Sequence, residues 1–111
     1  MTKPHIPHKG DIVWIDFDPS TGVEIKKRRP ALVVSNYDFN LSTKFAIVCP
    51  ITSTEKNYPT RYNLAKDYQT KGQVVISQIK SLDYTQRHVE FIERIHASDL
   101  TMIDQIMAYI F

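Results

Sequence analysis

The stretch Gly22-Val23-Glu24-Ile25-Lys26-Lys27-Arg28-Arg29-Pro30 sets one carboxylate ahead of four consecutive cations, and a phosphate would find a positive field there. Further along, Thr52-Ser53-Thr54 follows an apolar run. Hydroxyls at the end of a strand can donate hydrogen bonds to a phosphate oxygen. Both features also have a plainer reading. A charge run is commonly a solvated face in which Glu24 only offsets its neighbours, and hydroxyls at strand ends commonly cap their own turn.

Other chemistries lack their residues. His5, His8, His88 and His96 show neither an HxH nor an HExxH spacing, and there is no cysteine pair, so no metal site is expected. Gly10, Gly22 and Gly72 are the only glycines. They build no phosphate loop, nucleophile elbow or dinucleotide fingerprint, and no cofactor is expected. Cys49 is the single cysteine and lies inside an apolar run. It reads as a reduced, buried thiol of a cytosolic protein, with a catalytic thiol as the alternative.

The elements that must hold these residues follow from the hydrophobic pattern. With 111 residues, 42% hydrophobic and 23% charged, the chain is read as one domain over 1–111. Its net charge of +2 is too small to argue a partner. Residues 12–17 are β-branched and aromatic and end at Asp18-Pro19, which predicts a strand and a turn. A polar loop over 19–29 leads to Pro30, which opens a strand over 31–35. After a polar, Asn-containing connection comes another strand over 44–51. Shorter candidates at 61–64 and 73–76 flank a turn at Lys71-Gly72, and 89–95 is strand-like. Five or six strands in so short a chain suggest a small barrel.

The period then changes. Leu100, Ile103, Met107 and Ile110, with Ile106 beside them, form one helical face, and Ser98 is placed as the N-cap. Ile106, Met107, Ile110 and Phe111 make an apolar C-terminal surface, to be read as a partner interface or as core. The opening residues lack the apolar stretch of a signal peptide and no segment has a membrane helix's length, so a cytoplasmic protein away from membranes is expected.

Several motifs together resemble a known family. Gly10-Asp11-Ile12-Val13-Trp14-Ile15-Asp16-Phe17-Asp18-Pro19, then Gly22, Glu24 and Arg29-Pro30-Ala31, look like the opening of MazF/PemK-type toxins. The likeness continues through Val33-Val34-Ser35, Cys49-Pro50-Ile51-Thr52, Tyr58-Pro59, Gly72 and Ser77-Gln78-Ile79-Lys80-Ser81-Leu82, and so covers nearly the whole chain. It implies a mainly β fold with α elements: a small SH3-like antiparallel barrel of the PemK/CcdB kind with a C-terminal helix. It also implies a homodimer, cleavage of single-stranded RNA, and inhibition by a cognate antitoxin protein.

In such toxins the catalytic group is a glutamate of the first loop, an arginine before the proline of the second strand and a threonine after the third. These fall on Glu24, Arg29 and Thr52. On this resemblance Glu24 is the base for the ribose 2′-hydroxyl, Arg29 stabilises the developing phosphorane and Thr52 donates to the same phosphate. Lys26, Lys27, Arg28 and Ser53 would hold flanking phosphates, and Gln78 and Lys80 would touch RNA from the opposite side of the groove. Tyr58, Tyr37 and Phe39 are base-stacking or core residues. The loop departs from the family pattern, since Ile25-Lys26-Lys27-Arg28 replaces the usual small residues between the glutamate and the arginine.

Two rivals keep the same fold. One is a gyrase-poisoning toxin of the CcdB type; those act through a C-terminal tryptophan, whereas this chain ends Ala108-Tyr109-Ile110-Phe111 and carries its one tryptophan at Trp14. The other is a module that binds RNA without cutting it.

Overall fold

The computed structural model describes residues 5–17 and 28–111. In chain order it contains β1 (Asp11–Asp16), β2 (Arg28–Val33), α1 (Tyr37–Thr43), β3 (Phe45–Thr52), β4 (Arg61–Asn63), β5 (Gln73–Val75), β6 (Lys80–Asp83), β7 (Glu90–Arg94) and α2 (Ala97–Ile110). Every ladder is antiparallel. The order across the sheet is β4-β5-β3-β2-β1-β7, with β6 also paired to β3. β3 is therefore the hub. It holds β2 through Ala31↔Pro50, Leu32↔Cys49 and Val33↔Val48, β6 beside its first half, and β5 at its end through Ile51↔Val74 and Thr52↔Gln73.

The apolar runs of β1, β2 and β3 are continuous because both faces of these strands are covered. Successive side chains alternate across a sheet. Ile12, Leu32, Cys49 and Ile51 enter one core, which α2 closes with Ile103, flanked by Leu100, Ile106 and Met107. Val13, Ile15, Ala31, Val33 and Val48 enter the other, together with Leu82 and Tyr84. For those two residues to reach β1 the sheet must curl strongly. The curl is fastened where the Asp16 N–H donates to the Arg87 carbonyl at 3.0 Å. The Arg87 guanidinium in turn donates to the carbonyls of Asp16 and Phe17. Among the described residues no ladder joins β6 to β7, so the expected barrel is found as a curled antiparallel sheet with its C-terminal helix.

Three local expectations are corrected. The connection after residue 35 contains α1, which has no apolar stripe to announce it. It is held instead by the fully buried Asn40, whose amide donates to the Pro7 carbonyl at 2.8 Å and accepts from the Ser35 hydroxyl at 2.5 Å. β2 starts at Arg28, and Pro30 lies inside it opposite Trp14. Ser98 is not the N-cap of α2: the helix begins at Ala97, and His96 is the capping residue without a side-chain cap bond. Tertiary contacts supply what a cap would have supplied. The His96 N–H donates to the Tyr68 hydroxyl at 2.8 Å, and the hydroxyls of Tyr62 and Tyr68 both donate to the Asp99 carboxylate.

Burial pulls Asp99 upward, but the two tyrosine hydroxyls and His96 outweigh it and hold its carboxyl below the usual range. Burial and the same carboxylate push Tyr62 up to about 12. A carboxyl with a depressed folded pKa stabilises above its unfolded value, and that contribution is lost as pH falls through the folded value. Urea unfolding between about pH 5 and pH 2 should therefore show an acid-limb loss of stability that Asp99→Asn flattens. An unchanged limb would remove Asp99 as its source.

No helix among the described residues is long and apolar enough to cross a membrane.

Candidate active site

The register of β2 on β3 decides which polar groups meet. Its last pair is Ala31↔Pro50. The ladder ends there, and the two strands run on from it toward Arg29 and Thr52, two residues beyond on each. The two residues line a solvent-open cavity of about 370 Å³ together with Arg28, Pro30, Ser53, Thr54 and Lys71. Two of the three catalytic candidates, Arg29 and Thr52, thus converge, and Ser53 and Arg28 stand on the same rim. Glu24, Lys26 and Lys27 lie outside the described residues.

Thr52 is held by its turn. Its Oγ1 accepts the Thr54 N–H at 3.2 Å, as an ordinary hydroxyl-capped turn requires, and this leaves the hydroxyl proton available to donate. Gly72 packs directly on this backbone. It adopts φ +119°, and a Cβ built there would crowd the Thr52 carbonyl oxygen and lie 2.8 Å from its carbon and 3.1 Å from Ser53 Cα. Gln73 pairs with Thr52 in register. Its buried amide accepts from the Lys56 N–H and Arg61 and donates to Asn63, fixing the segment that follows Thr52.

The two adjacent arginines diverge. Arg28 lies opposite Asp16. It bonds Asp16 at 3.4 Å, the His88 carbonyl at 2.7 Å and Glu90 at 3.1 Å. The hydrogen bond from His88 and then Arg28 hold the Asp16 carboxyl below its usual range against the opposing effect of burial. Among the described residues no ion pair engages Arg29. A phosphate contact contributes about one unit to the slope of log affinity against log salt. Arg28→Gln is accordingly expected to leave the salt slope of RNA binding nearly unchanged, measured by fluorescence anisotropy across a salt series. A drop of about one unit would assign Arg28 to the RNA.

Gln78 and Lys80 do not line the cavity. Gln78 closes a short 3-10 turn (Ile76–Gln78). Lys80 begins β6 opposite Val48, which sits roughly 13 Å along β3 from Thr52. Lys71, which in the sequence belongs only to a turn, is a wall residue of the cavity. Its ammonium donates to the carbonyls of Lys66 and Tyr68, and its one local signal in the sequence is a cation beside the turn glycine. Cys49 is fully buried, and burial pushes its thiol up to about 12, which removes it as a nucleophile.

Residues 8–111 match the family described as PemK-like, MazF-like toxin of type II toxin-antitoxin systems. The chain is similar to the endoribonuclease toxin MazF of Escherichia coli (strain K12), with 33% identity over 87 residues, or 78% of each chain. Among solved structures it is similar to MazF from Deinococcus radiodurans, with TM-score 0.86 and 32% identity over 96% of this chain and 97% of that one. The MazE-MazF structure from the same organism gives TM-score 0.87 and 31% identity, again over 96% and 97%.

Proposed function

This chain belongs to the PemK-like, MazF-like toxins of type II toxin-antitoxin systems, and we propose that it is an endoribonuclease that cuts single-stranded RNA by attack of a ribose 2′-hydroxyl on the adjacent phosphate. The observation that supports this reading is that Arg29 and Thr52, at the ends of the paired strands β2 and β3, line one solvent-open cavity. Glu24 takes the 2′-hydroxyl proton. The 2′-oxygen bonds to phosphorus, the bond from phosphorus to the 5′-oxygen breaks, and that oxygen takes a proton from a water, whose hydroxide recovers the proton held by Glu24. The products are a 2′,3′-cyclic phosphate and a 5′-hydroxyl.

Arg29 stabilises the charge of the phosphorane through its planar fork of donors, for which a permanently charged guanidinium is suited. Thr52 donates its free hydroxyl proton to the same phosphate, and Ser53 serves the next one. Lys26 and Lys27 hold flanking phosphates, whereas Gln78 and Lys80 touch RNA only where a strand runs beyond the cavity. The reaction needs no metal ion, so cleavage should persist in EDTA and should stop at a site whose attacking ribose is 2′-deoxy. Cutting at that deoxy site, read on a sequencing gel, would overturn the mechanism.

The partners in this reading are the RNA substrate, a cognate antitoxin protein and a second copy of the chain, all in the cytoplasm. The apolar C-terminal surface divides between the alternatives set out for it. Ile106 and Met107 pack against the core, while Ile110 and Phe111 are exposed and available to a partner.

A further inference from the structure

Beside the candidate active site lies a second, smaller cavity of about 240 Å³, walled by Trp14, Pro30, Gln69, Thr70, Lys71 and Ile92. It shares Pro30 and Lys71 with the larger cavity that Arg29 and Thr52 line. A group seated here is therefore one wall away from a phosphate seated there. Its volume is below the roughly 300–1,000 Å³ typical of pockets for drug-sized ligands, which fits a single ring system better than an extended chain.

The walls have the chemistry of a base site. Trp14 is a large aromatic left exposed on the sheet. Its neighbour across β1 and β2 is Pro30, which offers a flat apolar floor. The opposite edge is polar and braced: the Glu93 carboxylate accepts the Gln69 N–H at 3.1 Å and the Thr70 N–H at 2.8 Å. The Thr70 hydroxyl is buried and has no hydrogen-bond partner among the described residues. An unpaired buried hydroxyl is costly, and a ligand edge reaching it would relieve that cost. Lys71 ties the end of this segment back to the carbonyls of Lys66 and Tyr68.

We propose that this pocket is a nucleobase subsite, in which Trp14 stacks the base next to the scissile phosphate and the Gln69–Thr70 edge offers it polar partners. The proposal rests on the endoribonuclease reading and adds to it a residue that determines which RNA is held. Stacking on an aromatic side chain is sequence-tolerant, so the polar edge supplies whatever base preference the subsite has.

Trp14 is the only tryptophan of the chain, so the intrinsic indole fluorescence of the unmodified protein reports on this pocket alone. The probe is a short unstructured RNA made uncleavable by a 2′-deoxy residue at its mapped cut site, prepared also with an abasic residue at each flanking position in turn. The intact RNA should shift the Trp14 emission, and one abasic position should abolish the shift and weaken binding roughly five- to hundredfold. Trp14→Ala should bind the intact RNA as weakly as wild type binds that abasic RNA, with no further loss when both changes are combined. Trp14→Phe, which keeps a stacking face, should recover most of the affinity, and thermal melting of both variants checks their fold. RNA that binds and is cut without perturbing Trp14, or abasic penalties that are the same in wild type and Trp14→Ala, would overturn the subsite while leaving the endoribonuclease reading intact. An emission shift produced by a segment of the cognate antitoxin and not by RNA would also overturn it. If no RNA is bound or cut at all, the subsite falls together with the function on which it rests.

Discussion

Arg29→Ala is expected to lower kcat for RNA cleavage by about two to three orders of magnitude while the protein still folds. A donor already aimed at the position where charge develops is worth most in the transition state, which is why its removal reaches kcat. Arg29 has that position: β2 carries it to the cavity that Thr52 also lines, and among the described residues no ion pair diverts it. Arg29→Lys keeps the charge and loses the two-pronged contact, so an intermediate rate is expected. Thr52→Val removes one hydrogen bond to a charged group, worth about 1–3 kcal/mol, and should cost less than loss of the arginine. Single-turnover cleavage, with melting curves as the control, measures all three. An Arg29→Ala protein that cuts at near the wild-type rate would withdraw the arginine from the mechanism.

Gly72→Ala should impair both stability and cleavage, although residue 72 offers no functional group. At φ +119° an alanine is strained, and its Cβ would press on the carbonyl group of Thr52 and on Ser53 Cα. Backbone strain and overpacking each cost of the order of 1–3 kcal/mol. A fall in Tm of roughly 10–25 °C follows for a domain of this size. The backbone that must move carries the Thr52 hydroxyl, so the surviving folded protein should also have a lower kcat at temperatures well below its Tm. A drop in Tm with kcat unchanged would mean that the turn yields on the Gly72 side and leaves Thr52 in place.

Much of the fold was legible because short segments announced it. The apolar runs of β1, β2 and β3 and the helical period of Leu100, Ile103 and Met107 are local patterns, and each element lies within a few residues of its expected place. What escaped had no local pattern. α1 depends on Asn40, a polar residue bonded to Pro7, thirty-three positions away. β6 presents one buried apolar side chain, Leu82, in four residues. The start of α2 was misplaced because Tyr62 and Tyr68 hold its first turn, so the helix did not need the hydroxyl cap that Ser98 offered.

For the candidate site, residue type and order along the chain were enough to single out Arg29, Thr52 and Ser53 as groups suited to a phosphate, because charge and hydroxyl chemistry belong to a residue wherever it sits. Which of them meet was decided by the register of β2 on β3, a long-range pairing that no local run specifies. The same holds for the two neighbouring arginines. As a sequence, Arg28-Arg29 is one patch of charge; in the folded chain Asp16 and Glu90, the latter sixty-two residues away, engage the first, while among the described residues no ion pair engages the second. Trp14 and Lys71 entered only with the tertiary structure, since the wall they share is assembled from β1, β2, β7 and the turn before Gly72.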